Sequence, residues 1–593
     1  MIERTTRMRW RRLFKKRRRQ MEDIGVQAEA QVDRLFFRRL NKFIDVRRFV
    51  ISWVLLFVLL GGGVVAQLRG LQDSYLELAP VAGGTMTEGI VGTYTNGNPL
   101  YATDPVDVAV AEIVFSGLFK YDRDNKLAPD LAEKYEVDAS ELVYTVTLKE
   151  GVRWHDGTPF TSQDVVFTYE TIQNPDTKSP LLSSWRGVKV TALDTRTVKF
   201  TLANSLSSFP YSLTNGIVPQ HLLKDITAEQ LRSVRFNTIG LIGTGPFKLE
   251  QVEVSGLSNE VRSERIVLES NASYFAGAPQ LQRYVIKSYK TQAQLAEAMS
   301  NQEVQAAAGL SSIPDELQGV ERLQEYNIPL TGQVMIFFKN SNEILQDVKV
   351  RQALVRAVNQ QDIISGLGYP VRQSNAPLLK SHTGYDPALA QAATDVEAAK
   401  KLLDEAGWIQ ADGGVRKKEN IPLQFKLYAQ NRSEYAYVTQ VLQKQWLAVG
   451  AKVDVMLQQD GDLQTTVANH GYDALLYGIS LGVDPDVYAY WHSSQGDVRS
   501  LNRLNLSEYK STVADKALEA GRSRSDPALR AVKYKPFLEA WRNDAPAMAL
   551  YQPRFLYVVR SQIHGFSPEE LNLATDRYAN VHEWKVRLGK VQK

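Results

Sequence analysis

The chain of 593 residues contains no cysteine. This excludes a disulfide framework, a thiolate metal site, a cysteine nucleophile and a lipid-modified N-terminal cysteine. Histidine is scarce, at seven residues. His221, His382, His470 and His564 are scattered, and no H-E-x-x-H pair occurs, so no metal site of that kind is encoded. A G-x-x-x-x-G-K-[ST] loop is also missing, which excludes a P-loop nucleotide site. From Gly83 onward there is no internal repeat, low-complexity tract or long Pro/Gly linker. The length nevertheless exceeds what one core accommodates and implies two or three lobes. Such lobes are expected to interleave rather than follow in series.

Positive charge is in deficit over most of the chain, although the net charge is +4. Residues 1–48 hold 16 Lys and Arg against 6 Asp and Glu, which leaves 54 against 60 in the remainder. The basic excess is therefore a local tail. A mildly acidic body argues against a nucleic-acid partner.

Between Arg48 and Arg69 the stretch 49–68 carries no charge. Its length matches the roughly 20 apolar residues that cross a bilayer, and exceeds the about 7–15 of a cleaved signal. The reading is one transmembrane helix. Basic residues on its N-terminal side keep the tail cytoplasmic and place the body outside. Val64-Val65-Ala66 offers a signal-peptidase site as the alternative. Trp10-Arg11-Arg12-Leu13-Phe14-Lys15 is similar to a twin-arginine signal, but the apolar stretch starts about 35 residues further on. These arginines read instead as a solvated tail beside anionic lipid. Within 21–44, Ile24, Ala28, Val32, Leu35 and Phe36 have helical spacing, giving either an amphipathic helix on the membrane or one packed on a partner. Residues 69–84 read as a stalk.

The body mixes two periods. Val143 to Leu148 and Thr197 to Leu202 alternate as half-buried strands. Val350 to Ile364 and Val396 to Ala406 have helical spacing, the second stopping at Gly407. Val438, Val441 and Leu442 mark another helix, which ends near Gly450 and is followed by the strand 452–457. Alternation of this kind predicts an α/β fold.

One set of motifs runs in order along this body. Leu127-Ala128-Pro129-Asp130-Leu131-Ala132-Glu133 leads to Tyr144-Thr145-Val146-Thr147-Leu148-Lys149. Gly151-Val152-Arg153-Trp154-His155-Asp156-Gly157-Thr158-Pro159-Phe160-Thr161 and Asp164-Val165-Val166-Phe167-Thr168 follow. Further on come Thr244-Gly245-Pro246-Phe247, Asn271-Ala272-Ser273-Tyr274-Phe275, Val350-Arg351-Gln352-Ala353-Leu354 and Ala406-Gly407-Trp408, then Ala545-Pro546-Ala547-Met548-Ala549-Leu550-Tyr551. The set strongly resembles the family 5 extracellular solute-binding proteins, the oligopeptide- and dipeptide-binding group.

The resemblance implies a two-lobed, type II periplasmic-binding-protein-like clamshell with an accessory subdomain. Lobe I would comprise 85–288 and a return at 548–593, and lobe II 289–547. It further implies hinge closure over a peptide or small polar solute and delivery to ABC permease subunits, with the ATPase on a separate chain and no cofactor. A membrane-anchored sensor or scaffold on the same fold is the alternative. In this family the Trp154-His155-Asp156-Gly157 segment belongs to the accessory subdomain. From the residues alone, Asp-Gly before Thr-Pro reads as a turn rather than a catalytic pair.

Candidate site residues follow. Gly478-Ile479-Ser480-Leu481-Gly482 fits the G-x-S-x-G elbow of a serine hydrolase, with Asp484 and His492 downstream. An elbow needs a helix after the serine, however, and Leu-Gly-Val-Asp-Pro-Asp reads as a loop. In peptide-binding relatives the segment after a Tyr-Asp strand carries an aspartate three residues before an acidic-Pro pair, and this aspartate holds the ligand amine. Here the strand is Tyr472 to Gly478 and the pair Asp484-Pro485. Leu481 therefore stands at the aspartate position, and Ile479 where tryptophan is common. Either Asp484 substitutes from a shifted loop, or the ligand offers no amine there. Arg432 lies where some relatives use basic residues for a ligand carboxylate, and alternatively is a solvated helix-entry residue. Tyr94, Thr95 and Asn96 are candidates for the facing edge, or ordinary turn residues. With Tyr477, Gly478, Ile479 and Ser480 they complete the expected binding set; no catalytic or metal residue is expected.

Overall fold

The computed structural model describes residues 47–256, 262–317, 323–411, 414–500 and 503–592. The twin-arginine-like segment, the 21–44 helix and nearly all of the basic tail lie outside them. Two units are present, Met1–Ala79 with Leu588–Lys593, and Pro80–Arg587.

The first unit holds the helix Arg47–Tyr75, in which Phe49–Arg69 is long and apolar enough to cross a membrane. Its apolar side chains face outward on every side, as in Leu59, Phe57 and Val58. The expected stalk is structured. The helix runs on to Tyr75, and the strand Leu76–Val81 then pairs with Arg587–Gln592.

The second unit is built on two large sheets. The first orders its strands Gln324–Pro329, Arg554–Val559, Ala306–Ala308, Thr85–Val91, Arg283–Tyr289, Ser263–Ser270 and Phe247–Ser255. Thr85–Val91 lies inside it, parallel to both neighbours. The buried carboxylate of Glu88 ties this strand to distant chain: it accepts from Tyr284 Oη at 2.7 Å, from Tyr578 Oη at 2.5 Å and from Arg577 Nη2 at 2.9 Å. A charge can stay in a core only when paired and hydrogen-bonded to this degree. Beside this sheet a four-stranded antiparallel sheet, Ala132–Val137, Val143–Leu148, Thr197–Thr201 and Lys189–Ala192, forms the accessory subdomain. The alternation of 143–148 buries Tyr144, Val146 and Leu148 in one core with Met86 and Ile286.

The second sheet runs Lys452–Gln458, Gln424–Gln430, Ala474–Ser480, Gly332–Phe338 and Ala547–Tyr551. Every residue of Gly332–Phe338 is buried. Period-two alternation sends Val334, Ile336 and Phe338 into one core with Leu354 and Trp446, and Met335 and Phe337 into another with Leu518 and Trp541. A strand covered on both faces reads as a continuous apolar run.

Two expectations need correction. The lobe boundary is not at 289 and 547, because Ala306–Ala308 and Gln324–Pro329 still pair in the first sheet and Ala547–Tyr551 wholly in the second. The chain crosses at Leu330-Thr331 and at Gln552-Pro553. Pro329 and Pro553 flank these crossings, and a residue without N–H interrupts a ladder. The single helix expected over 350–364 is two, Val348–Arg356 and Gln360–Ser365. Asn359 separates them by accepting the Gln361 N–H at 3.0 Å, an N-cap that restarts the helix.

Replacing Glu88 by alanine strands the Arg577 guanidinium in the core. The expected loss is about 3–5 kcal/mol, against about 1 kcal/mol for Tyr284→Phe, read from urea unfolding of the full chain.

Candidate functional site

The two crossings form the floor of a cleft of about 570 Å3 lined by residues of both lobes. The strand Ala474–Ser480 forms one wall. It pairs along its whole length with Gly332–Phe338, but with Gln424–Gln430 only at Ala474 and Leu475. From Leu476 onward its second edge has no strand partner among the described residues. The Leu481 N–H donates to Thr331 O at 3.0 Å, so period-two alternation turns the main-chain groups of Gly478 and Ser480 the other way, toward the open edge. Tyr477, Gly478, Ile479 and Ser480 all line the cleft.

Arg432 lines it as well, at the N-cap of the helix Ser433–Leu447. Its guanidinium lies 3.8 Å from the Tyr435 ring centroid and 3.0 Å from Glu434 Oε1. Glu434 Oε1 also accepts from Tyr551 Oη at 2.7 Å. Arg554 faces the same space, stacked 3.6 Å from the Tyr369 ring centroid, with Nη2 donating to Ser311 O at 3.1 Å. The charged lining is thus Arg432, Arg554 and Glu434, a net positive charge of one. The sequence reading missed Arg554, Glu434 and Asn572. Each sits in a segment with no motif, and only the return of the chain through the second crossing brings Arg554 and Asn572 to the cleft.

The other expected residues do not line this cleft. Tyr94 is 4% exposed, and its hydroxyl donates to Thr238 O at 2.7 Å. Thr95 and Asn96 wrap around the Asp107 carboxylate, their N–H groups donating to Oδ1 at 2.6 and 2.9 Å. This is the turn alternative. Leu481 is buried in the core with Trp491. Asp484 is also buried, gripped by Arg530 through two bonds of 2.7 Å. It therefore does not replace the missing amine-binding carboxylate. The hydrolase arrangement does not assemble either. Ser480 is followed by a loop, Asp484 belongs to Arg530, and His492 bonds Ser494 at 2.8 Å and Glu519 at 3.2 Å.

The Trp154-His155-Asp156-Gly157 segment is structural. Trp154 is buried, and His155 Nδ1 accepts the Gly243 N–H at 3.2 Å while Nε2 meets Gly245 O at 3.0 Å. The turn is thereby docked onto the Thr244-Gly245-Pro246-Phe247 motif. His382 does similar work beside the cleft, with Nε2 at 2.9 Å from Gly482 O. Burial pulls both imidazoles from 6.5 down to about 4.

These depressed values set a pH dependence. Below about pH 6.5 the unfolded chain takes up protons that the folded chain refuses, so stability is full above that pH and falls as pH drops toward 4. Lowering the pH from 7 to 4.5 is expected to cost the wild-type chain more of its urea midpoint than it costs a His155→Gln/His382→Gln double variant.

Comparison with known proteins agrees with this architecture. The model of the bacterial extracellular solute-binding proteins, family 5 middle region, matches residues 126–500. The oligopeptide-binding protein AppA of Bacillus subtilis (strain 168) is 28% identical over 540 residues, covering 85% of this chain and 92% of that protein. The structure of Bacillus subtilis AppA in complex with a nonapeptide matches with a TM-score of 0.67 at 26% identity, over 86% of this chain and 100% of that one. NikZ from Campylobacter jejuni in complex with Ni(L-His) matches with a TM-score of 0.70 at 26% identity, over 85% and 99%. Ordered motifs, interleaved lobes and a cleft at their crossings thus converge, and the chain belongs to family 5 of the bacterial extracellular solute-binding proteins.

Proposed function

We propose that the chain is the membrane-anchored, extracytoplasmic receptor of an ABC importer, which takes a peptide or related polar solute into the cleft, closes on it and delivers it to permease subunits. The edge of 477–480 that lacks a strand partner among the described residues carries this reading: Ser480 O already accepts from Tyr490 Oη at 2.6 Å, which leaves chiefly the Gly478 main chain facing the cleft. An unpaired strand edge offers main-chain donors and acceptors to any extended amide backbone, whatever its side chains, as in β-augmentation. Arg432 and Arg554 are suited to a carboxylate on the solute, while Glu434 is already committed to Arg432 and Tyr551. Two short crossings, at 330–331 and 552–553, are suited to hinge motion. AppA, a relative by sequence and by structure, is an oligopeptide-binding protein and was solved holding a nonapeptide. The exposed apolar helix and the basic residues before it supply the anchor, with the body outside the cytoplasm.

Mass spectrometry of the full chain purified in mild detergent is expected to find a peptide or other polar solute retained. Arg432→Ala and Arg554→Ala are each expected to weaken its binding by about 10- to 100-fold, the worth of one charge-assisted hydrogen bond. If no solute is retained and no peptide library raises the melting temperature, the reading fails.

A further inference from the structure

A second cavity, of about 210 Å3, lies wholly within the first lobe and meets the cleft at Asn572 and Leu573, which line both. Its walls come from the helix Pro105–Val114, the segment around Lys120 and Asp130, and the turns over 572–582. Four charged residues face it: Glu112, Asp130, Asp576 and Lys120. Tyr121, Tyr274, Tyr578 and His582 complete its titratable lining.

The cation in this set is already engaged. Lys120 Nζ donates to Ala579 O at 3.2 Å and stands 3.5 Å from Asp130 Oδ1. Even so, Asp130 is only 4% exposed and its Oδ1 accepts no hydrogen bond. A buried carboxylate oxygen left in that state is rare in a folded protein and calls for a partner. Glu112 projects from the one exposed position in a run of buried helix residues, and among the described residues no hydrogen bond or ion pair engages it. Asp576 accepts the Leu573 N–H through Oδ2 at 2.6 Å and is also within reach of the Asn572 N–H. His582 supplies no charge near neutrality, since burial and the neighbouring Lys120 and Arg123 pull its imidazole down to about 4. Among the described residues the lining thus carries three carboxylates and one ammonium, with Lys149 acting on Asp130 and Arg577 on Asp576 from outside it. Burial pushes Asp576 up to about 7.

We propose that this pocket is a subsite for a cationic group of the solute, an ammonium or guanidinium seated among Glu112, Asp130 and Asp576, with the rest of the solute passing over Asn572 and Leu573 into the cleft. The inference rests on the solute-receptor reading above and deepens it. In the second lobe Leu481 is buried and Asp484 is held by Arg530, while the first lobe provides carboxylates of its own. A solute held this way presents its positive group to the first lobe and its negative group to Arg432 and Arg554.

The test is calorimetry on the full chain in detergent with three tripeptides: Ala-Ala-Ala, N-acetyl-Ala-Lys-Ala and N-acetyl-Ala-Gln-Ala. The first carries a terminal ammonium, the second a side-chain ammonium and the third neither, so the source of the cation is distinguished. At least one cationic probe is expected to bind tenfold or more tighter than the neutral one. Glu112→Gln and Asp576→Asn are each expected to reduce that preference at least fivefold while changing the neutral probe less than twofold. Glu112 makes no folded-state contact that Glu112→Gln would break, so that variant separates binding from folding. Because a cation favours ionised carboxylates, the affinity for N-acetyl-Ala-Lys-Ala is expected to rise from pH 6 to 8.5, with protons released on binding. Equal effects of the variants on all probes, no effect on any, or no binding of any probe to the wild-type chain would overturn the subsite. Solute retained by the cleft in mass spectrometry would show that the receptor reading survives that failure.

Discussion

The double crossing between the two sheets is the constraint on which the rest of this molecule depends. The chain leaves the first sheet after Pro329 and returns to it at Arg554, and the two passages lie side by side: Leu330 N–H donates to Pro553 O at 2.9 Å. On one side Gln324–Pro329 pairs with Arg554–Val559, and on the other Gly332–Phe338 pairs with Ala547–Tyr551. The second lobe is therefore an insertion held by two adjacent strands, and the cleft is the space these strands cannot fill. Gly332 sits where they pass closest to the wall: a Cβ there would come within 2.6 Å of the Ile479 carbonyl oxygen. A side chain at that position would push the strand Ala474–Ser480 away from the floor.

Around this junction, buried polar groups hold geometry rather than perform chemistry. Glu88 with Arg577 closes the first lobe from both ends of the chain, and Asp484 with Arg530 pins the loop that leaves the binding strand. His155 and His382 are neutral struts on carbonyl groups. Of these, Asp484 was weighed for chemistry in the sequence, as a downstream acid of the elbow motif or a substitute amine-binding carboxylate, and His155 as half of a catalytic pair with Asp156. Their partners show otherwise: a carboxylate spent on a buried arginine, or an imidazole spent on two main-chain groups, has no capacity left for a substrate.

Legibility differed between framework and site for a physical reason. Strands such as 143–148 and 197–201 and the helix at 396–406 were readable because burial of one face imposes a period on the local sequence. The helix break at Asn359 was not, since apolar spacing continued across it and only the cap reveals the restart. Tyr477 to Ser480, named from a local motif, do line the cleft. Arg554 and Asn572 were invisible, because they meet Arg432 only through chain more than a hundred residues away, whereas Glu434, two residues from Arg432, was passed over for want of a motif. Tyr94, Thr95 and Asn96 were misplaced for the opposite reason: a polar turn has the same composition whether it faces a ligand or, as here, an internal Asp107.

By itself, the sequence determined the absence of thiol chemistry, the α/β class, the apolar segment after a basic tail, and the family through motifs ordered along the body. These are properties of composition and local period, and they survive without coordinates. Only the tertiary structure decided where the lobes divide, which arginines face the cleft, that Asp484 is sealed by Arg530, and that Glu112, Asp130 and Asp576 meet around one cavity. Those outcomes depend on which distant residues come together when the sheets close, and no local pattern records such a meeting.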